Sequence, residues 1–271
     1  MSFSINGKTA IVTGAANGVG LAIARHFADH GANVVFADMD EEHLVKEIGE
    51  AAAKDDSNVR YFAGDLREKL TIKNLLSATI DAFDQVDILV NASRQIMASA
   101  DPLNGAEDAV EMLLKQNLLT SLRMTQATAK RMIKQAAADG REEGQVGSII
   151  NLSSIAATRT HPELLAYSIS SAALDQMTRA MAVALAPHRI RVNAVAFGSV
   201  MSASLKDSLK SDESCRDDII ANTPLARIAS ASEVAEAAQF LASEGAAFMT
   251  GQILTVDGGR SLVDTVASPV H

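Results

Sequence analysis

Seven short runs rich in apolar and β-branched residues recur along the chain, and the stretches between them carry apolar residues at helical spacing. The runs 9–13, 33–38, 59–65, 87–93, 146–154, 190–198 and 251–259 read as strands. TAIVT at 9–13, with no polar alternation, has the pattern of a strand buried on both faces. Helical spacing follows at 19–31, where Val19, Ile23, Ala24 and Phe27 share a face and Gly31 is a stop signal. Further helices are expected at 41–54 (opened by acids), up to about Phe83, and at 106–138, 163–186 and 231–243. Strand alternating with helix throughout predicts an α/β fold, a parallel sheet with helices on both faces. No linker composition and no repeat period interrupts it, so residues 1–271 read as one domain. Two segments read as irregular, 137–147 and 199–220. The second follows the carboxyl end of a strand, where substrate loops tend to sit.

Composition narrows the function classes. With 48% hydrophobic residues the chain can bury a sizeable core, which argues against disorder. A net charge of −9 argues against a nucleic-acid partner, which usually meets a basic face. The one cysteine, Cys215, permits no internal disulfide and suits a reducing compartment. The start MSFSINGKTAIVTG lacks a basic segment followed by a long apolar run, and no apolar run reaches the roughly 18 residues of a membrane helix. A soluble, cytoplasmic protein with no membrane partner is the expectation.

The first chemical signal is TGAANGVG, residues 13–20, between the first strand and the first helix. Gly14, Gly18 and Gly20 would allow a tight turn and let backbone N–H groups approach a pyrophosphate at the helix N-terminus. A plain turn between strand and helix is the alternative, and the position of Asp38 at the end of the second strand argues against it. A carboxylate there can accept hydrogen bonds from both ribose hydroxyls of an adenosine and repels a 2′-phosphate. No Arg or Lys lies between Gly14 and Gly20 to favour that phosphate, so NAD is the expected cofactor. The alternative for Asp38 is a solvated turn residue.

On these and further motifs the chain resembles the short-chain dehydrogenases/reductases of the short single-domain type. The resemblance rests on TGAANGVG, GDL (64–66), NAS (91–93), Asn117 in KQNLLTS, NLSS (151–154), Tyr167, RVNAVAFG and LTVDGG (254–259), and it covers essentially the whole chain. It implies a Rossmann-type, doubly wound parallel sheet of about seven strands, a nicotinamide dinucleotide, and hydride transfer between an alcohol and a carbonyl. It also implies cofactor contacts. These are Gly14, Asn17, Gly18, Val19 and Gly20 at the turn, and Asp38 and Met39 at the ribose. Asp65 and Leu66 would lie near the adenine, with Asn91, Ala92 and Ser93 beside the cofactor and Phe197, Gly198 and Val200 after the sixth strand. The catalytic set it implies is Asn117 in a proton relay, Ser154 orienting the substrate oxygen, and Tyr167 as proton donor or acceptor. A homo-oligomer, a tetramer, is implied as well, and the apolar content of 106–138 and 163–186 agrees with it.

The chemistry of that set can be stated without the family. Negative charge develops on the oxygen of a carbonyl under reduction; a hydroxyl such as Ser154 can stabilise it, and a positioned acid such as Tyr167 can protonate it. A phenol ordinarily ionises near pH 10, so as a base it needs help. In the family that help comes from a Lys four residues after the Tyr, and here the position is Ser171. A charge-assisted hydrogen bond of that kind is worth about 1.5–3 kcal/mol. Two further departures are Ser93, where the family has Gly, and Phe197, where it has Pro. Arg94 and Arg159 are candidate substitute cations, and the sequence places neither. Without one, oxidation should suffer more than reduction, because reduction uses the neutral phenol. Two readings stay open: an NAD-dependent oxidoreductase acting on a small-molecule alcohol or carbonyl, and a non-catalytic dinucleotide-binding protein acting as sensor or partner subunit.

Weaker signals remain. His26 and His30 are spaced i, i+4 without a zinc pattern, and no metal site is expected. Arg159 and His161 point to a polar or anionic substrate. Met124, Met132, Met177 and Met181 fall at helical spacing and read as core.

Overall fold

The structure, a computed structural model, describes residues 3–98, 103, 106–202, 205, 209–210 and 214–264. Seven strands form one sheet: β1 (Thr9–Thr13), β2 (Asn33–Asp38), β3 (Val59–Ala63), β4 (Ile88–Asn91), β5 (Gly147–Ser154), β6 (Ile190–Phe197) and β7 (Ile253–Val256). Their order is β3-β2-β1-β4-β5-β6-β7 and every neighbouring pair is parallel. β1, β4, β5 and β6 are buried along their whole length; β1 and β4 run mostly apolar without alternation, while β5 and β6 also bury polar residues such as Asn151, Arg191 and Asn193.

Side chains of one strand alternate between two cores. On one face Ala10 and Val12 of β1 pack with Ile23 and Phe27 of α1 (Gly18–Asp29) and with residues Val234 and Leu241 of a late helix, Ala231–Ala242. On the other face Ile11 of β1 packs with Leu75 of α3 (Lys69–Phe83) and with Met124 and Met132. Between these, α2 (Glu41–Ala52) joins β2 to β3. α1 ends where expected: Gly31 takes φ +81°, and its N–H and that of Ala32 return to Ala28 O and Phe27 O.

The stretch 106–138 is not one regular helix. It divides into α4 (Ala106–Leu113), a π-helical segment (Leu114–Leu119) and α5 (Thr120–Ala138). The Thr120 N–H reaches Lys115 O, five residues back, and the Thr120 hydroxyl donates to the same oxygen at 3.0 Å. Such widened turns often sit at functional sites, and this one carries the buried side chain of Asn117. Apolar periodicity survives one extra residue per turn, so the sequence conceals the break. α6 (Leu165–Leu185) starts after a short 3-10 turn at Pro162–Leu164. Within 199–220, residues Ser214–Ala221 are helical (α7), followed by the helix Ala231–Ala242 (α8). Residues 203–204, 206–208 and 211–213 of that segment lie outside the described residues. Met124 and Met132 are in the core as expected, with Met181 at its margin. The strands at 59–65, 87–93 and 251–259 are shorter than the sequence suggests; Gly64, Asp65, Ala92 and Ser93 leave the sheet and line the cleft at its edge, while 257–259 turn away after β7. Among the described residues no helix is long and apolar enough to cross a membrane.

β1 is flanked by β2 and β4, and the chain winds away from it in opposite directions. The loops leaving these two strands therefore part, and a crevice opens at the carboxyl edge of the sheet.

Candidate active site

A cleft of about 1330 Å³ occupies that crevice. Nearly all the residues singled out from the sequence line it: Gly14, Asn17, Gly18, Val19, Gly20, Asp38, Met39, Asp65 and Leu66 towards one end. Ala92, Ser93, Ser154, Tyr167, Phe197, Gly198 and Val200 line the other parts. Asn91, Asn117 and Ser171 do not line it; all three side chains are buried beneath it.

At the first end the backbone is packed too tightly for side chains. A Cβ on Gly14 would lie 2.7 Å from Ala92 O, and a Cβ on Gly20 would collide with the Gly14 carbonyl oxygen. Gly14 and Gly18 both adopt positive φ, +67° and +57°. The Asp38 carboxylate is held by two backbone donors, Ala16 N–H and Asp40 N–H, each at 3.1 Å. It braces the turn it faces. Thr13, the first residue of the TGAANGVG motif, ties the turn to the loop after β4. Its hydroxyl accepts the N–H groups of Ala92 and Ser93 at 3.1 Å each. Asp65 accepts from Arg67 at 2.7 to 3.0 Å, and that guanidinium holds its carboxyl below the usual carboxylate range.

At the second end four elements meet. Ser154 closes β5 and stands in register with Phe197 at the end of β6. The Ser154 hydroxyl accepts the Ala156 N–H at 3.1 Å. Tyr167 lies in the first turn of α6, packed with Leu113, Ala156 and Ala166 and only 4% exposed. Arg94, on the loop after β4, donates from Nη1 to the Tyr167 hydroxyl oxygen at 2.6 Å and to Ser153 O at 3.3 Å. Its guanidinium carbon sits 4.1 Å from the Phe197 ring centroid. Of the two candidate cations, then, Arg94 reaches the phenol; Arg159 lines the cleft with an exposed side chain and makes no hydrogen bond to Tyr167.

Ser93, Asn117 and Asn91 also have defined partners. Ser93 Oγ accepts from Gln116 Nε2 at 3.0 Å, so the hydroxyl is tied to the π-helical segment. Asn117 clasps the residue after Arg94: its Oδ1 accepts Gln95 N–H at 2.8 Å, while its Nδ2 donates to Gln95 O at 3.0 Å and to Ser170 Oγ at 3.1 Å. Asn91 turns inward, donating to Asn151 Oδ1 at 2.8 Å and Thr125 Oγ1 at 3.1 Å. No signal in the sequence marked Gln116 or Thr125, because their partners come from distant elements. Among the described residues no cluster of His, Cys, Asp and Glu is disposed to hold a metal ion.

A family profile described as enoyl-(acyl carrier protein) reductase matches residues 14–261. The chain belongs to the short-chain dehydrogenases/reductases. This short-chain dehydrogenase/reductase is 32% identical to the L-fucose dehydrogenase of Mus musculus over 260 residues, 95% of this chain and 89% of the relative. It is 34% identical to the L-rhamnose 1-dehydrogenase (NAD(P)(+)) of Sphingomonas sp. strain SKA58 over 259 residues, 94% of this chain and 96% of the relative. Among solved structures, the gluconate 5-dehydrogenase of Burkholderia cenocepacia J2315 in complex with NADP and tartrate superposes with a TM-score of 0.84. It is 27% identical, and the match covers 97% of this chain and 98% of that one. The short-chain dehydrogenase/reductase family binds a nicotinamide dinucleotide, and this member has the cradle for one: glycines that no Cβ could replace, facing the cleft beside a braced carboxylate.

Proposed function

We propose that the protein is a single-domain, NAD-dependent oxidoreductase interconverting an alcohol and a carbonyl. The observation that carries the reading is that Tyr167 and Ser154 share one cleft with Gly14, Gly18, Gly20 and Asp38. A bound nicotinamide dinucleotide would supply hydride-transfer chemistry there. The glycine turn would hold its pyrophosphate, and Asp38 its adenosine ribose. Ser154 would donate to the substrate oxygen as charge grows on it, and Tyr167 Oη would give that oxygen a proton in reduction and take one in oxidation.

The preference for NAD over NADP is supported by Asp38 and by the pairing of Arg67 with Asp65. That pairing engages the basic side chain at this end of the cleft. Arg159, His161 and Arg260 line the opposite region and favour a polar substrate, polyhydroxylated or anionic. The sugar dehydrogenases among the relatives favour the same class. A homotetramer in the cytoplasm completes the proposal; the exposed apolar side chains of Ile169 and Val183 on α6 support the assembly.

The test is a panel of L-fucose, L-rhamnose, gluconate and a 3-oxoacyl thioester, assayed with both cofactors. Turnover faster with NAD(H) than NADP(H) is expected, and equal or better use of NADP(H) removes the cofactor assignment. NADH binding without turnover across the panel favours the second reading, a dinucleotide-binding partner protein, which the departure at Ser171 supports. Light scattering giving the mass of a 28.5 kDa monomer removes the tetramer.

A further inference from the structure

We propose that Arg94 supplies the positive charge beside the Tyr167 hydroxyl that position 171 lacks, so that the acid–base pair of this chain is Tyr167–Arg94. The pair is built across β4 and α6 rather than along one helix. The proposal rests on the oxidoreductase reading of the same cleft and assigns one of its working parts.

Four observations converge on it. Ser171 is buried and does not line the cleft, so it presents nothing to the phenol from its own helix. Arg94 lines the cleft and its Nη1 is 2.6 Å from the phenol oxygen, shorter than an ordinary N–H···O bond, as a charge-assisted bond is. The guanidinium is held on two further sides, by Ser153 O and by the face of Phe197, so its position does not depend on Tyr167 alone. Its backbone is anchored too, since Asn117 grips both polar groups of Gln95. Phe197 thereby acquires a purpose: where the family has Pro, this chain places the ring on which the substitute cation lies.

The hydrogen-bond chemistry follows from the donor set. Arg has five N–H donors and no acceptor. The phenol oxygen must therefore accept from Arg94, which leaves its own O–H free to point into the cleft. In reduction the O–H bond of Tyr167 breaks, the proton passes to the substrate oxygen, and the phenolate left behind sits against the guanidinium. In oxidation the phenolate takes the alcohol proton. Arg94 keeps its charge in both directions, because a guanidinium does not give up its proton in this range. It stabilises the anion and relays nothing. Asn117, engaged by Gln95 and Ser170, is a positioning residue for the loop carrying Arg94.

The electrostatic surroundings are simple. Arg159 and His161, from the turn before α6, line the same cleft with exposed side chains. Arg67 and Arg260, and the carboxylates Asp38, Asp65 and Asp264, line it as well. α4 and the π segment contribute Asp108, Glu111 and Lys115, all exposed. On α6 itself Asp175 is two turns away, with burial pushing its carboxyl up, and Arg179 lies one turn beyond it. From the strands beneath, Arg191 sits near the start of β6, at the opposite edge of the sheet from Tyr167. Among the described residues Arg94 is the charged group bonded to the phenol.

The chain has two tyrosines and no tryptophan, so the ionisation of Tyr167 can be watched directly. Tyr61 is on β3 and does not line the cleft. In a Tyr61→Phe background the near-ultraviolet tyrosinate absorbance reports Tyr167 alone. The expected result is a midpoint lower by about one pH unit or more with Arg94 than with Arg94→Gln, the size of effect an adjacent opposite charge produces. Arg94→Lys should fall between, and Arg94→Gln/Ser171→Lys should return towards the parent. Coincident midpoints for the parent and Arg94→Gln overturn the proposal. So does a parent midpoint matched by Arg94→Lys and Arg94→Gln alike, should either fold less well. The titration needs neither cofactor nor substrate. A shifted midpoint in a protein that turns over nothing sinks the oxidoreductase reading and keeps the pair. Turnover with an unshifted midpoint does the reverse, and the alkaline limb of alcohol oxidation should then ignore Arg94→Gln.

Discussion

At the glycine-turn end of the cleft, the turn and the carboxylate that braces it come from one stretch of chain, residues 13–38, with Asp65, Leu66 and the loop after β4 packed beside them. Gly14, Gly20, Ala16 and Asp38 touch each other across a single strand–helix–strand unit. At the Tyr167 end, Arg94, Asn117, Ser154, Tyr167 and Phe197 come from five separate parts of the chain and meet only when β4, β5, β6, α6 and the π segment have assembled. In the reading proposed above, the first end keeps the family's pattern and the second carries Ser93, Ser171 and Phe197 in place of its Gly, Lys and Pro. A local unit makes its contacts within itself, so a change there breaks the turn. A site assembled from distant elements can exchange one contributor for another, provided the same charge reaches the same atom.

The largest expected effect lies at the assembled end. Tyr167→Phe removes the proton that the substrate oxygen exchanges, and kcat should fall by roughly 10²- to 10⁴-fold. NADH affinity, measured by its own fluorescence, should stay within about twofold. A comparable fall in affinity would mean that the two ends are not separable.

Next in size is Gly20→Val. Its Cβ would press on a backbone carbonyl of the same turn, which has no rotamer with which to yield. Overpacking of this kind costs about 1–3 kcal/mol, and NADH binding should weaken at least tenfold. Unchanged binding by calorimetry would show that the turn is looser than its packing implies. Asp38→Ala should lower the preference for NADH over NADPH by about tenfold, in line with one like-charge repulsion relieved at partial exposure. Competitive binding of the two cofactors reads it.

Asn117→Ala leaves the Gln95 N–H without its partner, at a cost of about 1–3 kcal/mol of stability. Because it loosens the loop of Arg94 and not the glycine turn, kcat should drop while the Kd of NADH holds. Equal losses in both would make Asn117 a purely structural residue.

The smallest effect belongs at the foot of the sheet. Burial pushes the Asp87 carboxyl up, against the bond from Thr9 N–H. A raised folded-state value means that the ionised form destabilises the fold. The contribution of Asp87 is most favourable below the unfolded-state value near pH 3.9 and is lost as pH rises through the folded one. Asp87→Asn should therefore raise the melting temperature slightly at pH 7, with the gain shrinking towards acid pH, and leave both ends of the cleft untouched.

The alternation of strand and helix, the seven strands and the glycine turn with Asp38 were legible in the sequence. Each rests on periodicity, β-branched runs or positive φ, which are properties of neighbours along the chain. The sequence also names Ser154, Tyr167 and Ser171, and the fold brings the first two into the cleft and buries the third beneath it. The division of 106–138 was hidden, since a π turn keeps the apolar pattern and shifts only its phase. Arg94 was one of two cations that the sequence could name without ranking. Its approach to Tyr167 spans 73 residues, and depends on Phe197, Gln95 and Asn117 being brought around it. Local patterns determine which elements form and where a backbone must bend. Which charge comes to rest against which oxygen is decided by the order of strands in the sheet and the packing of helices upon it.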